Sequence, residues 1–189
     1  EVININTEKH NYIFNILSKY NSVCIGYARK STINQKSISE QIDELKKKAK
    51  QDGHNYIVIF YYEGSGWNIK NISKMKGFNN MIKFIKHFRN FQINIYIYDV
   101  SRFMRNVLVA TKFINDVFAP YNCPIHSIID NKVWDKNNRN RIDFLQELVA
   151  AEKFSVLLSD KIKKNIKNRR LNGHHIGSAK FGYEKYKFN

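Results

Sequence analysis

Residues 25–32, Ile25 to Thr32, read "IGYARKST": an apolar run that passes directly into Arg29, Lys30, Ser31 and Thr32. With the preceding "SVC" the segment is short, apolar and bounded by polar residues, which is the pattern of a buried strand. Its polar end has two readings. One is a turn that closes the strand. The other is a serine nucleophile beside an arginine, held at a rigid strand end. The rest of the chain decides between them.

Working outward, "SISEQIDELKKKAKQDG" predicts a helix. Ser37 and Glu40 form a capping box, Ile38, Ile42, Leu45 and Ala49 line one face, and Gly53 supplies the stop. "YIVIFYY" and "INIYIYDV" predict second and third strands, separated by the glycine-bearing loop "EGSGWNIKNISKMKG" and the helix "FNNMIKFIKHF". "VLVATKFINDVFA" has helical spacing, and "PIHSIID" predicts a short fourth strand. Strands alternating with helices give an α/β fold with a mostly parallel central sheet flanked by helices. From Arg141 to Leu171 there is neither proline nor glycine, and apolar residues recur at Ile142, Leu145, Val149, Val156, Ile162 and Ile166. This predicts one long C-terminal helix, well beyond the ~11–12 residue mean. Its first half is apolar enough to dock or oligomerise, and its second half, "DKIKKNIKNRR", is basic. Residues 1–21 read as an N-terminal extension, 22–140 as the α/β domain, 141–172 as the long helix, and 173–189 as the start of a further region.

The chain has 189 residues, enough for one domain that buries a sizeable core. Lys and Arg outnumber Asp and Glu by 32 to 16, a formal charge of +16. That excess suits a polyanion, most simply nucleic acid; a lysine-rich composition driven by AT-rich codons explains it equally. Cys24 and Cys123 lie far apart with no Cys-x-x-Cys pair, so a zinc site or disulfide framework has little support and a reduced, intracellular setting is expected. No stretch approaches the ~20 apolar residues of a membrane span. The adjacent His174 and His175 lack a nearby carboxylate and read as loop residues, not metal ligands. Nothing resembles a Gly-x-Gly-x-x-Gly turn or a P-loop, which disfavours a nucleotide-binding protein. The chain opens at Glu1 and not at a methionine, so a fragment of a longer protein is expected.

"IYDVSRFMRN" completes the chemical argument. Like "IGYARKST" it follows an apolar strand, and in an open α/β sheet the C-terminal strand ends surround the usual crevice. Arg102 and Arg105 are three apart and share a face if a helix begins there, where a helix N-terminus also favours an anion. A serine among guanidinium groups with no His-Asp pair is not a protease arrangement. It suits attack on a phosphodiester, because arginine forks bind non-bridging oxygens and stabilise charge that grows in the transition state.

These segments resemble, in order, the motifs of serine recombinase (resolvase/invertase) catalytic domains, in particular the large serine recombinase, integrase and transposase branch. "YARKST" is similar to the Tyr-x-Arg-x-Ser nucleophile motif, and "QKSISEQIDEL" to the helix start after it. "EGSGW" resembles the acidic Ser-Gly loop, "SRFMRN" the Ser/Asp-Arg-Leu-x-Arg motif, and "AAEKFSVLLSDKIKKNIKNRRLNG" the long helix. "NGHHIGSAKFGY" resembles the entry to the recombinase domain of the large branch. The resemblance spans residues 22–183.

It implies a resolvase-like catalytic domain followed by a long helix that contacts DNA and makes interfaces. Ser31 would form a 5′-phosphoserine link to double-stranded DNA. Arg29, Arg102 and Arg105 would hold the scissile phosphate, and Gln41, with Gln35, would orient the site. Glu63 falls near the family's loop acid, a place more often filled by a turn residue, and Glu152 matches a glutamate at the start of the long helix. Lys74, Lys76, Lys163, Lys164, Lys167, Arg169 and Arg170 would meet the DNA backbone. The resemblance further implies homodimers, tetramers when synapsed, and no metal, small-molecule cofactor or membrane. Site choice would lie in a C-terminal region beyond these residues, since no complete helix-turn-helix or zinc ribbon is present. One departure stands out. The family's arginine before the second helix falls near Met75 in "SKMKGF", between Lys74 and Lys76, and an ammonium is a point donor where a guanidinium is a fork. A catalytically impaired relative acting as a DNA-binding or oligomerising regulator is the alternative. Ser101 occupies the Ser/Asp position of its motif, where many members of the large branch look similar. Trp67 and Tyr183 read as packing residues.

Overall fold

The computed structural model describes residues 19, 22–30, 37–64, 75–138, 141–174 and 177. The elements are β1 (Ser22–Lys30), α1 (Ile38–Gln51), β2 (Ile57–Glu63), α2 (Lys76–His87), β3 (Gln92–Ile97), α3 (Val100–Phe103), α4 (Val107–Phe113), β4 (Ile125–Ser127), β5 (Lys132–Trp134) and α5 (Arg141–Leu171). A π-helical turn, Ile114–Phe118, continues α4. The five-stranded sheet has the order β2-β1-β3-β4-β5, parallel except for the β4–β5 pair. The expected α/β class, mostly parallel sheet and long C-terminal helix are therefore all present. Apart from residue 19, the expected N-terminal extension lies outside the described residues.

Why β1 sits in the middle follows from its composition. Alternate side chains of a strand point to opposite faces. Val23, Ile25 and Tyr27 enter one apolar cluster with Phe78, Met81 and Ile85 of α2 and with Phe103, Val109 and Phe118. Cys24 and Ala28 enter the other, with Leu45 and Ala49 of α1 and with Ile57, Ile59 and Tyr96. A strand buried on both faces must be apolar at consecutive positions, as parallel strands are. The α1 face of β1 carries small residues because the layer above is close. A Cβ at Gly26 would lie 2.5 Å from Ile59 Cδ1 and 3.4 Å from Leu45 Cδ1.

α1 begins as its sequence dictates. The Ser37 side chain accepts from Glu40 N–H at 3.2 Å, and Ser37 N–H donates to Glu40 Oε2 at 2.7 Å. Leu45 and Ala49 are buried on its inner face, and buried with them is a polar residue, Gln41. At the start of α2 the backbone meets β2. A Cβ on Gly77 would fall far inside van der Waals contact distance of the Tyr61 carbonyl oxygen. Backbone does not yield as a flexible side chain does, so Gly77→Ala is expected to cost about 3 kcal/mol, the upper part of the overpacking range, read as a lowered denaturant midpoint.

Three local departures from expectation have physical causes. The tail of "INIYIYDV" is not strand, because Asp99 caps α3 by accepting from Arg102 N–H. β5 was not expected; it returns antiparallel to β4 through residues 128–131, with Asn131 at φ 50°. The helix after Asn106 changes to π geometry, which places Ile114, Val117 and Phe118 together in the core.

On the α1 side of the sheet the His126 ring stacks on Tyr96, centroids 4.8 Å apart, and Tyr96 OH donates to Asp52 Oδ2 at 2.9 Å. His126 is held below its ordinary value of 6.5, chiefly by burial; His54 and Lys48 add to this, while Asp52 and Asp135 oppose it. A histidine with a depressed folded pKa gives stability that is present above its unfolded value and lost as pH falls below it. The melting temperature is therefore expected to drop on acidification below about pH 6.5. His126→Phe, which keeps the stack, is expected to flatten that dependence.

The chain divides into two compact units, Glu1–Glu152 and Lys153–Asn189, with α5 running across the division. In the first unit Phe144 and Leu148 of α5 are core residues. In the second, Phe154, Leu157, Leu158 and Ile162 are exposed. No helix among the described residues is long and apolar enough to cross a membrane.

Candidate active site

The carboxyl end of β1 is fixed from two directions. Gln41 Nε2 donates to the Arg29 carbonyl and Gln41 Oε1 accepts from Arg29 N–H, both at 3.2 Å. β1 pairs with β3 only as far as Tyr27. Beyond that point the carboxamide of Gln41 stands in for a peptide group of the neighbouring strand. On the other side Gly64 N–H donates to the Lys30 carbonyl at 2.7 Å. The residue after Lys30 is Ser31, so this clamp sets the position from which Ser31 departs. Ser31, Gln35 and Lys74 themselves lie outside the described residues.

Arg29 is fully buried. Its Nε donates to Arg102 O and its Nη1 to Gly64 O, both at 3.0 Å, and its Nη2 donates to Ser101 O. A guanidinium has five N–H donors, so three brace the ends of β2 and α3 against β1 and two remain. This bracing duty was not legible in the sequence. Burial pushes Arg29 down from 12.5 to about 10; the nearby Arg105 and Arg102 push the same way, and Tyr27 and Asp99 oppose them. The group stays charged at neutral pH.

α3 brings up the second arginine. Asp99 Oδ1 accepts from Arg102 N–H at 3.1 Å and from the Ser101 hydroxyl. Asp99 Oδ2 lies 3.2 Å from Arg102 Nε. That contact is close enough for an ion pair but too poorly aligned for a hydrogen bond. Alignment governs donor satisfaction, so Arg102 Nε and Nη1 are buried without an acceptor among the described residues. Arg105 is held below its ordinary value by burial and then by Arg102, with Asp99 opposing. Arg29, Arg102 and Arg105 thus act electrostatically on one another, and Asp99, a carboxylate that the sequence reading missed, acts on Arg29 and Arg105 and touches Arg102. An Asp three residues before Arg102, at a strand end, was the available signal of a helix cap. The Tyr27 hydroxyl is also buried without a partner among the described residues.

Other candidates lie elsewhere. Met75 is 2% exposed and part of the core, so it offers no donor at the position where the family pattern has arginine. Lys76 and Glu63 are exposed. Glu152 Oε2 accepts from Val107 N–H at 3.0 Å and so caps α4, directly after the Arg105 segment. Lys163, Lys164, Lys167, Arg169 and Arg170 are all exposed on α5.

One family model, that of the resolvase N-terminal domain, matches residues 24–175. The chain belongs to the resolvase family. It is a serine recombinase catalytic domain, and site-specific recombination is the activity of that group. The resolvase fold is shared with the N-terminal catalytic domain of TP901-1 integrase, 27% identical, TM-score 0.54, covering 73% of this chain and 98% of that one. The C-terminal catalytic domain of ISC1926 TnpA, an IS607-like serine recombinase, is 20% identical with TM-score 0.48, covering 76% and 98%. A resolvase family site-specific recombinase from Streptococcus pneumoniae is 18% identical with TM-score 0.48, covering 78% and 99%. No curated protein matches the chain.

Proposed function

We propose that this resolvase-family chain cuts and rejoins double-stranded DNA through a 5′-phosphoserine formed by Ser31. The observation that carries this reading is Arg102, whose Nε and Nη1 are buried without an acceptor among the described residues. A buried unsatisfied donor costs about 1–3 kcal/mol, and a non-bridging phosphate oxygen would relieve it with a charge-assisted bond. Arg105 and the two uncommitted N–H groups of Arg29 would complete the cradle. Gln41 would keep the strand end, and hence Ser31, aligned. The serine oxygen attacks phosphorus, the 3′-oxygen leaves, and the reverse attack reseals the strand, so the phosphoester bond is conserved without an external energy source.

The exposed apolar residues Phe154, Leu157, Leu158 and Ile162 support a homodimer, and a tetramer in the synapse, with α5 as the interface. The exposed cations from Lys163 to Arg170, with Lys74 and Lys76, would contact backbone phosphates, which gives strongly salt-dependent affinity. We assign the protein to an intracellular compartment where DNA is accessible.

A second reading is favoured by Met75. Its apolar side chain in the core leaves the site one fork short of the family pattern, as expected of an impaired recombinase retained as a DNA-binding or oligomerising regulator. The deciding experiment uses the full-length protein and duplexes from the junctions of the element that encodes the gene, each nicked opposite the cleavage point. A covalent protein–DNA band that disappears in Ser31→Ala supports the recombinase. Binding to an authentic junction without such a band supports the regulator.

A further inference from the structure

The geometry points to Asp99 as the positioning residue that holds Arg102 ready for a phosphate without consuming its donors, an inference that rests on the recombinase reading of the site. Three guanidinium groups that converge repel one another, and Asp99 is the carboxylate whose charge acts on both Arg29 and Arg105. It also touches Arg102 directly. The Asp99 and Arg102 side chains are only 17% and 11% exposed, so their contact is shielded from bulk water and outweighs an ordinary surface pair. Asp130, the other acid at α3, is already engaged, accepting from Val100 N–H at 2.7 Å and from the Ser127 hydroxyl at 2.6 Å.

The alignment matters more than the distance. Oδ2 sits 3.2 Å from Arg102 Nε but off the line of the N–H bond. Coulomb attraction depends on separation, whereas a hydrogen bond depends on direction. Asp99 therefore restrains the side chain by charge and leaves Nε and Nη1 without an acceptor among the described residues. Oδ1 meanwhile fixes the backbone of the same residue, accepting from Arg102 N–H, and is itself fixed by the Ser101 hydroxyl. Arg29 completes the arrangement, since its hydrogen bonds to the Ser101 and Arg102 carbonyls lock the peptide that carries Arg102.

A cap and a positioning charge are separable. Asp99→Asn retains an oxygen that accepts from Arg102 N–H, as asparagine does at caps, but removes the charge. Expected for Asp99→Asn are a melting temperature lowered by a few degrees, because shielded guanidinium charge loses its carboxylate, unweakened binding to nonspecific duplex, and covalent-complex formation slowed by about 10- to 100-fold, some fraction of the effect of losing a transition-state donor. Because Asp99 acts through Arg102, the same change in an Arg102→Ala background should cost less than twofold, the non-additivity of residues that act as a unit. Full activity in Asp99→Asn, or an equal loss in both backgrounds, overturns the proposal. A readout independent of catalysis is the Arg102 Nε–Hε NMR resonance. It should be slow to exchange in the unaltered protein, shift with inorganic phosphate, and become averaged in Asp99→Asn. If the unaltered protein forms no covalent complex on authentic junctions, the recombinase reading fails. The resonance then decides on Asp99 alone: persistence in Asp99→Asn refutes it, and loss sustains it.

Discussion

Arg102→Ala is expected to slow formation of the covalent DNA complex by about 100- to 1,000-fold, equivalent to about 3–4 kcal/mol of transition-state stabilisation. The reason is local. Arg102 has two buried donors without an acceptor among the described residues, so it adds little to the resting fold and most where negative charge develops. The melting temperature of the variant should stay within a few degrees of the parent, and its affinity for duplex should fall only modestly, because one phosphate contact among many is lost. The check is a single-turnover time course on a nicked junction beside a thermal melt. A variant that melts early and cleaves normally would mean that Arg102 belongs to the scaffold.

Arg29→Met is expected to show the opposite balance. Methionine matches much of the length of arginine but donates nothing, and it would strand the carbonyls of Gly64, Ser101 and Arg102. Each stranded acceptor costs about 1–3 kcal/mol. Removing a guanidinium whose burial is itself unfavourable offsets part of this, leaving a net loss of about 2–4 kcal/mol. For a chain of this size that lowers the melting temperature by about 5–15 °C. Arg29→Lys should recover only part, because one ammonium cannot span three separated carbonyls as a planar fork does. Equal melting temperatures for parent and Arg29→Met would refute the bracing role.

The strands and helices were legible where one physical signal dominated. β1 to β4 announce themselves as short apolar runs, and α1 begins at a capping box that the structure reproduces in both of its hydrogen bonds. β5 did not announce itself. "KVW" is too short for periodicity, and it is strand because β4 offers an edge on which Trp134 can be buried. The site divides the same way. Arg102 and Arg105 were legible because a cation pair after a strand has few other uses. Arg29 was legible as a cation but not as a fully buried strut, since charged residues are seldom interior unless their partners are known, and here the partners are backbone carbonyls from distant segments. Asp99 was overlooked because its charge has meaning only once three guanidinium groups are seen to surround it. Met75 was read as a departure from a pattern, and the structure adds that its side chain belongs to the core.

The clamping of β1 between β2, β3 and the Gln41 carboxamide also bears on how the molecule opens. Hydrogen exchange follows local unfolding, and the slowest amides belong to segments whose release requires the whole domain to come apart. β1 has hydrogen-bonded neighbours along both edges and apolar layers on both faces, so its amides should be among the last to exchange. The strand that runs up to Ser31 in sequence is then among the most persistent of the described segments. Thermal motion that loosens the periphery leaves the bearing of its carboxyl end unchanged until the domain unfolds as a unit.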